Sequence, residues 1–200
     1  MRDLLEKIFN GKKSGFDTLA PENVWPAPPA AEGEKKLRSA AVLVPLINYD
    51  RGMKVLLTQR TETMPDHAGQ IAFPGGGQRK GEISPEQTAL RETQEEIGLV
   101  ASQIKILGRM NARDTGTGYR VMPIIGIIQP PLSLTPDPSE VAKVFEVPLE
   151  FIIDPVNHRL ETRSESGRSR EYYVLPYNEY YIWGLTARIL VELGKILRKA

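Results

Sequence analysis

Three glutamates, Glu92, Glu95 and Glu96, recur at a spacing that can gather their carboxylates. On one helix, positions i, i+3 and i+4 turn by about 100° per residue, so the three carboxylates share a third of the circumference while Leu90 and Ile97 point away. Like charges at this spacing cost about 0.2–0.5 kcal/mol per pair, and near a helix C-terminus the dipole also disfavours them. A hard divalent cation held by oxygen ligands would offset that cost. The flanking residues predict the helix. Ser84 is a good N-cap, Pro85 fits the first helical position, Gln87 closes a capping box and Gly98 suits a left-handed exit, so the helix spans residues 85–97. Taken alone, the same carboxylates would also suit a solvated charged face.

Composition narrows the chemistry. The 200 residues carry a formal net charge of +1, with no basic tract, so there is no general electrostatic reason to bind nucleic acid or a membrane surface. With no cysteine, thiol catalysis, disulfides and cysteine-type zinc sites are excluded, and His67 and His158 are the only nitrogen metal ligands. Carboxylate chemistry remains. No apolar run approaches the roughly 18 residues of a membrane span, and residues 1–16 have no uninterrupted signal-like core, so a cytoplasmic enzyme is the expectation.

The carboxylates need a scaffold, and the rest of the chain carries its parts. Leu4, Leu5, Ile8 and Phe9 recur at helical spacing and predict a short N-terminal helix packed on the domain. A connector with Pro21, Pro26, Pro28 and Pro29 follows, so residues 1–37 read as helix plus extended linker and residues 38–200 as the main domain. The runs AAVLVPLIN and MKVLLTQR flank a turn and read as a hairpin, with Pro45 arguing for an edge position or a bulge. A short strand at 70–73 delivers the chain to Gly75, Gly76 and Gly77, where backbone could approach a phosphate closely. No Gly-Lys-Ser/Thr follows, so this is not a P-loop. Strands are expected at 104–110 and 119–128, then a proline-rich surface loop at 129–138. The strand at 140–148 should point Val141 and Phe145 one way and Val144 and Glu146 the other. A helical turn at 149–153, a hairpin of 159–162 with 170–175, and a closing helix striped by Ile182, Leu185, Ile189, Leu190, Leu193, Ile196 and Leu197 complete the chain. This order predicts an α/β layered sandwich with a mixed sheet.

The glycine run, Glu82, Arg91-Glu92, Glu95-Glu96 and Gly98-Leu99 together resemble the Nudix box, the signature of Nudix hydrolases. Gly76 and Glu82 match its first part, and Arg91, Glu92, Glu95, Glu96, Gly98 and Leu99 the rest. Two positions depart from it: eight residues rather than seven separate Glu82 from Arg91, and Thr93 stands where an apolar residue is usual. An extra residue before the helix cap costs under about 1 kcal/mol in loop closure, whereas one inside the helix would rotate everything beyond it by about 100°. Ile83 is therefore the spare residue, read here as a staple toward Thr88 or Ala89, and Glu82 should still pair with Arg91.

The upstream segment 56–76, LLTQRTETMPDHAGQIAFPGG, resembles the extra motif of bacterial coenzyme A pyrophosphatases. Leu56, Leu57, Thr58, Arg60, Gly69, Phe73, Pro74, Gly75 and Gly76 match it, Thr61 replaces a small residue and Pro65 replaces a second arginine. The resemblance implies a Nudix-type α/β/α sandwich and hydrolysis of a nucleoside diphosphate derivative, coenzyme A first, with Mg²⁺ or Mn²⁺ on Glu92, Glu95 and Glu96. Glu82 and Arg91 would brace the loop. Glu140, opening a strand directly after the proline-rich loop, is the candidate general base. Arg60, His67, Arg113 and Arg120 are candidate anion contacts, with Gly75 and Gly76 at the substrate. The implied partner is a small nucleotide-diphosphate substrate, without nucleic acid or membrane; the oligomeric state stays open, a homodimer among the options. Other readings are hydrolysis of ADP-ribose, dinucleoside polyphosphates or a modified nucleoside triphosphate, and a non-catalytic nucleotide-binding regulator.

Overall fold

The computed structural model describes residues 1–10, 24–30, 36–63, 67–165 and 168–200. Its axis is a long strand, β1 (Arg38–Tyr49), which is buried along most of its length. It turns back into β2 (Gly52–Arg60) and receives β7 (Tyr119–Ile128) in parallel on its other side, from Arg38↔Tyr119 to Ile47↔Ile128. The strands β5 (Ile104–Arg109) and β6 (Arg113–Asp114) pair antiparallel with β7, and β8 (Val141–Pro148) pairs with the outer side of β2. Side chains alternate along the central pair. Val44, Leu46, Ile125 and Ile127 enter one apolar core, and Ala41, Leu43, Ile47, Met122, Ile124 and Ile128 the other. Strands buried on both faces read as continuous apolar runs, which is the texture of AAVLVPLIN and VMPIIGII.

Helices cover both faces. The helix α2 (Pro85–Ile97) lies on one side through Ala89 and Ile97. On the other lie α1 (Arg2–Asn10) through Leu5 and Phe9, α3 (Leu149–Ile153) through Leu149 and Ile152, and α4 (Gly184–Lys199) through Ile189, Leu190, Leu193 and Leu197. This is the α/β/α sandwich with a mixed sheet. A second, three-stranded sheet of β9 (Arg159–Glu165), β10 (Arg168–Tyr177) and β11 (Tyr180–Trp183) leads into α4. Ile182 therefore belongs to β11 and not to the closing helix, although it enters the same core. No helix among the described residues is long and apolar enough to cross a membrane.

The sheet is split, and the split positions the site. Strand β1 pairs with β2 from Leu46↔Val55 to Tyr49↔Gly52; beyond that they part, and β3 (Ile71–Ala72) joins β2 while β4 (Gly75–Gly77) joins β1. Pro45 is thus in the central strand, opposite Gly126 in unbroken register, and not at the edge or bulge its sequence suggests. Its missing N–H falls where β1 exchanges partners: Val42 is still opposite Gly75, the Leu43 N–H goes to Pro74 O at 2.9 Å, and the β2 ladder begins only at Leu46. No ladder bond is lost there. The alternation of β8 is also interrupted. Arg60 faces Val141 while Gln59 faces Lys143, a bulge that turns Val141 into the α2-side core with Val144, whereas Phe145 packs on the α4 side.

Candidate active site

Helix α2 is built as its sequence predicts. The Ser84 hydroxyl accepts the Gln87 N–H, Pro85 occupies the first turn, and Gly98 exits at φ 73° with its N–H on Gln94 O. The Gln87 side chain reaches back to the Ile83 N–H at 2.8 Å, one residue before the usual box partner. Ile83 itself is 81% exposed, so it is a spare loop residue and not a staple. Position 93 is buried, and Thr93 satisfies its hydroxyl by donating to Ala89 O at 2.7 Å, which is how a polar residue replaces an apolar one.

The three carboxylates have different surroundings. Glu96 is buried, at 5% exposure, and accepts the Gly75 N–H at 3.3 Å; Glu92 is half-buried and lies against Gly76, where an added Cβ would stand 2.6 Å from its Cδ; Glu95 is exposed. The Arg91 guanidinium stands among them. Its Nη1 reaches Glu92 at 2.6 Å and Glu95 at 3.0 Å, Nε reaches Glu82 at 2.6 Å and Nη2 donates to Gly77 O at 2.9 Å. Glu82 also accepts Thr88 Oγ1 and the Arg79 N–H, both at 2.7 Å, so the loop and helix are tied as expected. Burial governs the charge state of Glu96. Its carboxyl is pushed up to about 8 by burial, with Glu92 and Glu140 adding to the rise and Arg60 and the Gly75 N–H opposing it.

That balance also places Arg60 and Glu140 in the field of Glu96. The proline-rich loop brings Glu140 there. Instead of standing off as bare surface, it caps α2: the Thr135 and Asp137 N–H groups reach the Ile97 and Glu96 carbonyls at 2.8 and 2.9 Å, and the Glu140 N–H then turns onto Asp137 O at 3.1 Å. The Arg60 Nε is buried with no hydrogen-bond partner among the described residues. Other candidates lie elsewhere. His67 is exposed, with Nδ1 on Gln70 Oε1 at 2.9 Å; Arg113 pairs with Glu192 of α4 at 2.8 Å, and Arg120 with Asp114 at 2.7 Å. The structure already gives both guanidiniums carboxylate partners. Pro65, the other departure of the upstream motif, lies outside the described residues.

Residues 36–180 match the NUDIX domain model. The chain belongs to the Nudix hydrolase family. It is 39% identical over 170 residues to an uncharacterized Nudix hydrolase, NudL, of Photorhabdus laumondii, covering 85% of this chain and 90% of the relative. NudL of Escherichia coli K12, likewise uncharacterized, is 37% identical over 157 residues, 78% of this chain and 81% of its own. Among solved structures, a MutT protein from Methanosarcina mazei aligns at a TM-score of 0.54 with 20% identity, covering 84% of this chain and 99% of that one. A C. elegans Ap4A hydrolase binary complex aligns at 0.51 with 20% identity, covering 80% and 93%. These two likenesses concern the fold.

This Nudix hydrolase, a pyrophosphohydrolase by family, carries a donor set of oxygens only, which suits Mg²⁺ or Mn²⁺. Among the described residues no three acids or histidines are gathered closely enough to hold a metal ion as they stand; Arg91 pairs with Glu92 and Arg79 with Glu95. The Arg79–Glu95 pair is bidentate, at 2.7 and 2.8 Å, and lies at the surface with its side chains 59% and 43% exposed, where solvent screens it. Arg79 is not marked by any motif in the sequence. Its only signal is a cation in the loop just before Glu82, separated from Glu95 by most of a helix along the chain.

The Glu82–Arg91 pair is the firmer brace, with the two side chains 13% and 19% exposed. Burial would raise the Glu82 carboxyl, but hydrogen bonds from Arg91, Thr88 and the Arg79 N–H hold it at about 2, against an ordinary 4.5. Because the folded value is depressed, its stabilisation is present above about pH 4.5 and is lost as pH falls toward 2. Urea midpoints measured across that window should show wild type losing its advantage over Glu82→Gln; parallel curves would mean that the pair adds nothing to stability.

Proposed function

We propose that this Nudix hydrolase cleaves the diphosphate of coenzyme A in the presence of Mg²⁺ or Mn²⁺, giving 3′,5′-ADP and 4′-phosphopantetheine. One observation carries the reading. The segment with the coenzyme A-type motif is the one wedged into the split sheet against α2: Arg60 acts on Glu96 from β2, and the Gly75 N–H donates to Glu96 from β4.

Glu92, Glu95 and Glu96 would hold the cation. When bound, it neutralises the diphosphate and lowers the pKa of a water. The chain supplies the rest. Arg91, fixed by Glu82 and Gly77 O, sets the orientation of Glu92. Arg60, with a buried Nε lacking a partner among the described residues, holds an anionic oxygen of the substrate. Glu140 accepts the proton of the water whose oxygen bonds to phosphorus, while the bridging P–O bond breaks and its electrons leave with the departing phosphate.

The deciding comparison is kcat/KM for coenzyme A against ADP-ribose at saturating metal. A preference of at least about tenfold for coenzyme A is expected, and a similar preference for ADP-ribose would overturn the assignment. Absence of metal-dependent hydrolysis across nucleoside diphosphate derivatives would point to the non-catalytic regulator. The pH–rate profile of Glu140→Gln should lose its acidic limb; an unchanged profile would remove Glu140 from proton transfer.

A further inference from the structure

On the α4 side of the split sheet, a cleft of about 400 Å³ lies between the upstream motif and the β10–β11 turn. Its volume is in the range of small-molecule sites. Gln59, Glu62 and Gln70 line one wall, and Glu179, Tyr180 and Trp183 the other. The cleft adjoins the reaction centre through the backbone. Gln59 precedes Arg60, the Arg60 N–H is bonded to Gln70 O at 3.0 Å, and the Thr61 N–H is bonded to Glu140 O at 3.0 Å, just before Glu62.

The walls are held from behind. Tyr180 stacks on Phe145 with ring centroids 3.6 Å apart and planes within 5°, and Trp183 sets its ring against the edge of Tyr172 at 5.9 Å. The Glu62 carboxylate rests on Gly69, where a Cβ would stand 2.4 Å from Oε1 in a backbone at φ +68°. The motif glycine thereby seats an acid in the cleft wall. Among the described lining residues there are two carboxylates, two carboxamides and three aromatic rings, but no cation.

That chemistry rejects phosphates and suits a neutral chain with N–H and O–H donors and apolar links. We infer that this cleft receives the pantetheine arm of the substrate, and the inference rests on the coenzyme A reading. The amide N–H and hydroxyl groups of the arm donate to Glu62 and Glu179, and its methylene and methyl groups pack on Tyr180 and Trp183. The 3′-phosphorylated nucleotide lies on the other side of the carboxylates, away from both acids.

Inhibition by the two products, measured against whichever diphosphate substrate the enzyme turns over, tests this separately from the substrate assignment. Glu62 is exposed, so Glu62→Ala should keep the fold, and Trp183→Leu removes a wall. Each is expected to raise the inhibition constant of 4′-phosphopantetheine about fivefold or more while leaving that of 3′,5′-ADP within about twofold. If 4′-phosphopantetheine inhibition is unchanged in Glu62→Ala, or if 3′,5′-ADP is the product that weakens, the inference is overturned. A wild type that prefers ADP-ribose yet shows the expected inhibition pattern would defeat the substrate reading while keeping the cleft as a site that binds a pantetheine chain.

Discussion

Glu96→Gln is expected to lower kcat by at least about 10²-fold while leaving the metal-free protein as stable as wild type or more so. The two effects have one cause. A buried carboxylate beside Glu92 and Glu140 is uncomfortable without a cation, and its carboxyl is pushed up to about 8, first by burial. The folded value is raised above the ordinary 4.5, so the folded state favours the protonated form. Stability linked to this group is fully present below about pH 4.5 and falls as pH rises toward 8. Glutamine keeps the shape and can still accept the Gly75 N–H, but it cannot carry the charge that a divalent ion needs. Melting in chelator at pH 6 and pH 9 measures the first effect, and turnover at saturating metal the second. Near wild-type turnover would exclude Glu96 from the mechanism; a large loss of stability would mean that the carboxylate is a structural element.

The adjacent glycines should separate fold from site. An added Cβ at Gly75 would stand 2.5 Å from Ala41 O and 2.6 Å from Val42 Cα, at φ +157°, and backbone atoms of a central strand cannot yield. Gly75→Ala is therefore expected to displace β4, lower the melting temperature by several degrees and reduce kcat/KM by about 10²-fold or more through the Glu96 contact. At Gly76 the obstruction is the Glu92 carboxylate, a side-chain end that can move. Gly76→Ala should leave the melting temperature within a degree or two, yet lower kcat by about tenfold because Glu92 is turned from Arg91. Equal melting temperatures for wild type and Gly75→Ala would show that β4 can shift without cost. Full activity in Gly76→Ala would show that the position of Glu92 is not critical.

Much of the acid-bearing helix was legible in the sequence because its determinants are local. Ser84, Pro85, Gln87 and Gly98 act within a few residues of where they stand, and the i, i+3, i+4 geometry of Glu92, Glu95 and Glu96 follows from helix pitch alone. The Glu82–Arg91 pair was legible for the same reason, since placing Ile83 before the cap preserves the helix phase. The sandwich followed from the order of apolar runs, and the family from the box residues.

Features that depend on partners distant in sequence arose only from packing. Pro45 read as an edge or bulge residue because strand rules count missing N–H groups, yet β1 changes partners from β4 to β2 at that point, leaving a central position with no bond to lose. The opposed facing of Val141 and Phe145 came from a bulge in β8's pairing with β2, which no alternation pattern in β8 announces. Three glutamates that look equivalent on a helical wheel became one buried, one braced and one exposed acid, because burial is set by what packs on the helix: β4 beneath Glu96 and the capping loop beyond it. The arginines sorted in the same way. Arg113 and Arg120 found acids of their own on α4 and β6, while Arg60 alone of these three was turned toward Glu96, and a guanidinium's partner is a matter of three-dimensional neighbours that spacing along the chain does not encode.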